Sequence, residues 1–211
     1  MIGTKVLEER KSKFNGNLRV VRTWGMGTYI QSNGLTQSGG IVEAIWRSTL
    51  AQIQDSRFKI RNVLVLGLGG GTVVKLIHKN WLGTRITGVD IDPIMIELST
   101  RHLGLGTSGE EIIIQDAYHF LNQNDNSKFK KYDLVIVDLY NGDEYLKKFE
   151  SENYIHLVRN ILSSNGIAVF NRLYFGDKKL EAEEFGKKLE KVFGKVEKFR
   201  PEANLMFLCF K

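Results

Sequence analysis

The sequence predicts an α/β protein: a mostly parallel, seven-stranded sheet covered by helices, with an antiparallel hairpin at its C-terminal end and a small β-hairpin ahead of it. Three observations predict it. From Val63 onward, short apolar runs alternate with segments whose apolar residues recur at helical spacing. The first run, Val63-Leu-Val-Leu66, feeds a glycine-rich turn, Gly67-Leu-Gly-Gly-Gly71, that opens a helical segment. The last two runs are separated only by Pro201-Glu-Ala-Asn204, too short for a crossover helix, so they pair antiparallel.

Residues 1–36 read as the hairpin region and residues 37–211 as the main domain. In the first, 18–24 and 27–31 are strand-like, with Gly25 and Asn33-Gly34 as turn signals. Residues 41–54 place Ile45, Trp46, Leu50 and Ile53 on or near one helical face. Strands are then expected at 63–67, 86–90, 111–115, 133–138, 166–171, 195–200 and 205–210. Helices are expected at 72–80, 93–103, 116–122, 151–162 and 178–192. Strands separated by helices imply parallel pairing. A parallel sheet ending in one antiparallel hairpin is the layout of Rossmann-like, class I methyltransferase-fold proteins.

A chain of 211 residues with 42% hydrophobic content can bury one sizeable core. No stretch approaches the roughly 20 apolar residues of a membrane span, so no membrane partner is expected. The start, Met1-Ile-Gly-Thr-Lys-Val-Leu-Glu-Glu-Arg10, has no signal-peptide pattern. The single cysteine, Cys209, sits in an apolar run and reads as core; it leaves no disulfide and no metal cluster, and a reducing cytoplasm fits. Net charge is +6. Much of the excess lies in Lys147-Lys148 and in the lysine-rich segment 178–198. That segment has mixed sign over an apolar stripe of Leu180, Phe185, Leu189, Val192 and Phe193, which describes a solvated helix face. Aromatics do not interleave with the lysines, which argues against a nucleic-acid groove.

Ligands of open α/β sheets sit outside the carboxyl ends of the strands. Those ends deliver Gly67 to Thr72, then Asp90-Ile91-Asp92-Pro93, Gln115-Asp116-Ala117, Asp138-Leu139-Tyr140-Asn141, and Asn171-Arg172. A glycine turn followed by an acid-tipped strand describes a nucleoside-binding βαβ unit, and Asp90 lies 19 residues beyond Gly71. A dinucleotide pattern wants a third glycine at position 72, which is threonine. Gly67, Gly69 and Gly71 instead form a looser turn suited to an adenosyl ligand without a pyrophosphate. Asp90 can accept the ribose hydroxyls. Asp92-Pro93 reads as a helix cap. Asp116 can accept the adenine amino group while capping the next helix. Asp138 follows an apolar run on a central strand, where an acid costs stability unless paired. It reads as a general base or cation-binding carboxylate, with a capped loop as the alternative. The histidines all fall in or beside helices and read as packing or surface residues.

These residues resemble those of the spermidine synthases, the polyamine aminopropyltransferases, and of the wider spermidine-synthase-like group. The resemblance runs from about residue 18 to residue 171. The family's L-D-G-x-x-Q is similar to Ser32-Asn-Gly-Leu-Thr-Gln37, its V-E-I-D to Val89-Asp-Ile-Asp92, its G-D-A to Gln115-Asp-Ala117, and its Y-D-x-I-x-x-D to residues 132–138. The resemblance implies a donor site of Gln37, Gly67, Gly69, Gly70, Gly71, Asp90, Ile91, Asp116, Ala117 and Asp138, with Asp138 as the acid that helps deprotonate the attacking amine. It also implies a dimer.

The departures matter as much. The family's G-G-G-D-G-G has an aspartate, facing the amino group of decarboxylated S-adenosylmethionine, where this chain has Gly70. Its D-S-S-D-P loses the second acid to Asn141 and the proline to Gly142. Of its E-R-D-E only Glu43 is kept, and Trp46-Arg47 replace a Tyr-His pair. A polyamine wants several carboxylates, and Arg47 would repel one if it faced the pocket. S-adenosylmethionine carries a carboxylate that Gly70 would not repel and that helix-start amides could receive. The expectation is therefore an S-adenosylmethionine-binding transferase without metal, transferring a methyl group to a small acceptor. The alternatives are an aminopropyltransferase using the decarboxylated donor and a non-catalytic nucleoside-binding protein. The acceptor is expected between segments 37–46, 138–145 and 172–175, touching Trp46, Tyr140 and Asn141, with Tyr174 and Phe175 adding aromatic surface.

Overall fold

A computed structural model describes residues 3–54, 59–123 and 131–211. The chain opens with an antiparallel sheet of β1 (Thr4–Ser12), β2 (Gly16–Thr23), β3 (Gly27–Ser32) and β4 (Leu35–Ser38), in that order. The hairpin expected from sequence is its inner pair, β2–β3, with Val20 opposite Ile30. The sheet is larger than that hairpin because β1 and β4 were illegible. β1 is charged, and among its residues only Ser12 is buried. β4 is a four-residue, mostly polar strand.

Then follow α1 (Ile41–Ala51), β5 (Asn62–Leu66), α2 (Thr72–Asn80), β6 (Arg85–Asp90), α3 (Pro93–Leu103), β7 (Glu111–Ile114), α4 (Ala117–Gln123) and β8 (Tyr132–Val137). A small ladder of β9 (Tyr140–Asn141) and β10 (Glu144–Tyr145) precedes a 3-10 turn, α5 (Glu152–Ile161) and β11 (Leu162–Leu173). The chain closes with α6 (Lys178–Val192), β12 (Lys195–Phe199) and β13 (Asn204–Phe210). The seven-stranded sheet has the order β12-β13-β11-β8-β5-β6-β7. Its pairs from β11 through β7 are parallel, and β13 runs antiparallel to both β11 and β12. This is the expected Rossmann-like α/β arrangement with its terminal hairpin.

Alternation along the central strands feeds two cores. Leu64, Leu66, Val135 and Val137 face α4, α5 and α6, where Phe120, Tyr154, Phe185 and Leu189 are buried. Val63, Val65, Leu134 and Ile136 face α1 and α2, against Ile45, Leu50, Val74 and Ile77. On α6 the buried face is Ala182, Phe185, Gly186 and Leu189, spaced i, i+3, i+4, i+7. Leu180, expected on that stripe, lies about 200° around the helix from Ala182 and is 73% exposed. No helix among the described residues is long and apolar enough to cross a membrane.

The N-terminal sheet docks on α3. Leu18, Val20 and Ile30 pack against Met95 and Leu98. Fully buried Asp92 ties the two parts together: its Oδ1 accepts the Ile94 amide as the helix cap, and its Oδ2 accepts Ser12 Oγ at 2.6 Å and Asn15 Nδ2 at 2.7 Å. The cap expected at Asp92-Pro93 is thus also the joint that carries the small sheet over the carboxyl ends of β5 and β6.

Arg172 of β11 is 3% exposed and points away from those ends. Its guanidinium pairs with Glu150 at 2.6 Å and stacks on Tyr145 at 4.1 Å and Phe185 at 4.8 Å. Removing one partner of such a pair strands a buried charge. Glu150→Ala is expected to lower the unfolding free energy by about 3 kcal/mol in urea titration; a loss below about 1 kcal/mol would show that Arg172 finds compensation elsewhere.

Candidate functional site

A cleft of about 610 Å³ opens at the carboxyl ends of the parallel strands, under the N-terminal sheet. Its floor is the turn after β5, and the glycines there serve different ends. Gly67 has φ +86°, and a Cβ on it would lie 2.0 Å from the Asp138 carbonyl oxygen. Gly71, also left-handed, is the N-cap of α2; a Cβ there would meet Leu105 at 2.6 Å, and the residue does not line the cleft. Gly69 is the open one. With φ +51°, a Cβ on it would have the Gln37 carbonyl, at 4.0 Å, as its nearest neighbour. Backbone is therefore bare toward the cleft at Gly69, as a closely approaching ligand requires.

Gly70 lines the cleft too, but a side chain there would run into Ser38, 2.2 Å from its Oγ. The space beside position 70 is filled by β4, through Ser38. Ser38 Oγ and Thr72 Oγ1 hydrogen-bond at 2.5 Å, and the Gly39 amide donates to Thr72 Oγ1. Gly71 has no side chain to cap α2, so the amides of its first turn are left to other acceptors.

The acids at the rim differ sharply. Asp90 Oδ2 accepts the Gly69 amide at 2.7 Å and its Oδ1 accepts the Asp92 amide at 2.9 Å. Burial pushes its carboxyl up, against the pull of those amides. Ile91, 38% exposed, continues the wall beside it. Asp116 accepts the His119 amide, confirming the helix cap, and pairs with Lys148 Nζ at 2.5 Å. Burial raises Asp116, but Lys148 and the capping amides outweigh it and hold the group below its usual range. Ala117 lies beside it in the lining.

Asp138 sits at the centre. Trp46 Nε1 donates to its Oδ2 at 3.2 Å and Asn171 Nδ2 to its Oδ1 at 2.8 Å. Asn171 is itself fixed by Asn204 Nδ2 at 2.8 Å. Burial is the largest influence and pushes the Asp138 carboxyl up to about 6; the two donors lower it and nearby Asp90 raises it. A carboxyl poised there can take and release a proton near neutral pH.

The expected acceptor residues divide. Tyr140 and Asn141 line the cleft. The Tyr140 hydroxyl accepts the Leu173 amide at 2.6 Å, and burial holds its pKa up. Trp46 lines the cleft as well, but it is 1% exposed and its indole N–H is spent on Asp138, so it lies beneath the cleft surface. Gln37 reaches from β4 to the Gly142 carbonyl at 3.4 Å and closes one side. Arg47 is absent from the lining; it turns outward and pairs with Glu43 one helical turn away. Arg172 and Tyr174 also point elsewhere, while Phe175 lines the mouth. Asn171 was expected at this rim from its place at a strand end, whereas Ser38, Lys148 and Asn204 were not singled out as site residues from sequence. Only Asn171, a polar residue ending an apolar strand, carried a readable signal.

A model of the spermine/spermidine synthase domain matches residues 43–203, more than half of the chain. The chain belongs to that family. Relatives within reach of the family include the spermine synthase of Saccharomyces cerevisiae, 26% identical over 78% of this chain and 57% of that protein. The chain thus spans little more than half of that relative. The polyamine aminopropyltransferase of Neisseria meningitidis is 28% identical over 93% of this chain and 73% of that one. The eEF1A lysine and N-terminal methyltransferase of Mus musculus is 28% identical over 52% of this chain and 17% of its own length. Among solved structures, a spermidine synthase with the transition-state analogue AdoDATO shares the fold, with TM-score 0.80, 16% identity, and coverage of 98% and 74%. Human methyltransferase-like protein 13 with SAH does so with TM-score 0.65, 23% identity, and coverage of 80% of each chain. The chain's relatives therefore include proteins named for aminopropyl and for methyl transfer. Among the described residues no group of metal-ligating side chains is gathered.

The raised Asp138 carboxyl has a consequence for stability. From its ordinary 3.8 to about 6, the folded protein keeps a proton that the unfolded chain has released. The Asp138 contribution to stability therefore falls as pH rises through that window and is level above it. Melting temperatures from pH 4 to 8 are expected to fall less steeply with pH in Asp138→Asn than in the parent, whatever that variant's absolute stability, with raised Asp90 keeping its own share of the slope. An unchanged slope would place the titrating group elsewhere.

Proposed function

We propose that this protein is an S-adenosylmethionine-dependent transferase that binds the donor across the glycine turn and transfers its methyl group. The observation that carries this reading is the environment of Gly70, where the Ser38 hydroxyl, bonded to Thr72 Oγ1, and Leu103 take the space that a carboxylate side chain would need. Hydroxyls and the uncapped amides of α2 suit a donor that bears its own carboxylate. Asp90, anchored through Gly69 and Asp92, accepts the ribose hydroxyls on its free lone pairs. Asp116 and Ala117 flank the adenine, and Gln37 covers the donor from β4. The bare backbone of Gly69 fits a nucleoside in contact with it.

When bound, S-adenosylmethionine supplies a sulfonium whose methyl carbon accepts an acceptor's lone pair as the carbon–sulfur electron pair returns to sulfur. The chain's own residues prepare that acceptor. Asp138 takes a proton from it, and Trp46 and Asn171 hold the carboxylate in place. Ionised Asp138 also attracts the cation that an amine presents.

Aminopropyl transfer is the second reading, favoured by Gln37 and Asp138 both lining the cleft and by the outward turn of Arg47, which removes one repulsive charge. Calorimetry with the two donors separates the readings. S-adenosylmethionine is expected to bind more tightly than its decarboxylated form; the reverse order sinks methyl transfer. Asp90→Ala is expected to weaken donor binding about tenfold or more, since hydrogen bonds to charged groups contribute about 1.5–3 kcal/mol; unchanged affinity would put the ribose elsewhere. With methyl-labelled donor and a small-molecule extract, label transfer is expected to rise with pH up to about 6 and then level as Asp138 ionises. In Asp138→Asn it is expected to drop about 10²–10⁴-fold with donor affinity retained. Transfer unaffected in that variant would remove Asp138 from the chemistry.

A further inference from the structure

We propose that the acceptor half of the cleft takes a monoamine carried on an apolar or aromatic body, in preference to a diamine or polyamine. The inference rests on the transferase reading only in naming this half the acceptor side; its recognition argument stands on the wall itself.

Asp138 divides the cleft. On one side lie the glycine turn, Asp90 and Asp116. On the other the wall is built from Ile41, Val42 and Ile45 of α1, from Leu173 at the end of β11 and from Phe175 just past it, with the uncharged Tyr140, Asn141 and Asn204 also in the lining. The α1 residues are spaced i, i+1 and i+4, so one helical edge faces the space. Trp46 and Asn171, reaching Asp138 from α1 and β11, fix these two walls on either side of the carboxylate. Ile41 is 46% exposed and Phe175 44% exposed, large apolar surface at the mouth that no described residue covers.

The charges around this half are accounted for. Asp116 is engaged by Lys148 on the donor side. Glu43 is paired outside with Arg47. Asp143 is paired with Lys178 at 3.3 Å and does not line the cleft. That leaves Asp138 at the base and Glu202 at the rim, on the exposed β12–β13 turn where water screens it. One ammonium therefore meets a carboxylate at the base. A second ammonium along the same chain would meet isoleucine, valine, leucine and phenylalanine, and at best the uncharged Tyr140, Asn141 or Asn204, none of which supplies the countercharge that an unpaired cation needs. A hydrocarbon or aromatic body would instead gain from covering that surface. The whole cleft, at about 610 Å³, leaves room for a small body beside a nucleoside.

The test is calorimetric titration of the protein with 2-phenylethylamine, hexylamine, putrescine and spermidine, each with and without S-adenosylhomocysteine. The two monoamines are expected to bind at least about tenfold more tightly than putrescine or spermidine. Phe175→Glu, at an exposed position, is expected to narrow or reverse that ratio. Tighter binding of putrescine or spermidine, no binding of either monoamine, or a ratio unmoved by Phe175→Glu would overturn the proposal. S-adenosylmethionine titrated in the same cell keeps the two readings apart. Failure of the donor to bind would sink the transferase reading while the amine preference is judged on its own numbers.

Discussion

The site depends on how closely the ends of β5 and β8 approach. These neighbouring parallel strands stay in register to Leu66 and Val137, and the Asp138 amide then donates to the Leu66 carbonyl at 2.8 Å. At the next step there is no space for a side chain on Gly67, because the Asp138 carbonyl occupies it. Any larger residue would splay the two strand ends and lift Asp138 off Trp46 and Asn171. Gly67 thus serves the acid more than any ligand. The links continue outward: Trp46 brings α1, Asn171 brings β11, and Asn204 brings β13, so three separate elements converge on one carboxylate.

What was legible in the sequence was local. The glycine turn, Asp90 at a strand end, the Asp92-Pro93 cap and the β12–β13 hairpin each follow from a few consecutive residues and a backbone rule. What was illegible depends on partners distant in sequence. Charged β1 shows no alternation because its outward groups find α3: Glu8 meets Arg101 and His102, and Arg10 meets Glu97. Trp46 read as an acceptor contact because nothing nearby announces a carboxylate 92 positions away. Its neighbour Arg47 was the more readable case. A residue one position on is turned about 100° around the helix, so Trp46 facing inward sends Arg47 toward solvent. Gly70 was read from what it lacks, while the residue deciding its surroundings, Ser38, comes from the N-terminal sheet.

The same rim also shows how environment separates chemically identical groups. Asp116 and Asp138 both end parallel strands and both lose water. Lys148 sits on one and holds it down as an anion. The other has only neutral donors, so burial prevails and its proton is held to near neutrality. On the proposed reading, two carboxyls driven in opposite directions divide the labour, one group for holding and one for proton movement. Asp90 stands between them in kind. Partly buried and tied by two backbone amides, it is held in orientation at both oxygens.

On the reading proposed above, the donor end and the acceptor end are not independent. An aminopropyl donor brings a sulfonium and an ammonium with no carboxylate, and a polyamine brings several ammonium groups. Together they ask a cleft for many anions. S-adenosylmethionine carries a carboxylate that offsets one of its own cations, and a monoamine adds a single charge. The departures around this cleft run the same way at both ends. Ser38 and Leu103 crowd position 70, and isoleucine, leucine and phenylalanine wall the far side. A neutral wall at either end alone would leave the other mismatched in charge. Their occurrence together ties the choice of donor to the choice of acceptor through one electrostatic condition: the cations that enter must not exceed what Asp138 and its few acidic neighbours can hold.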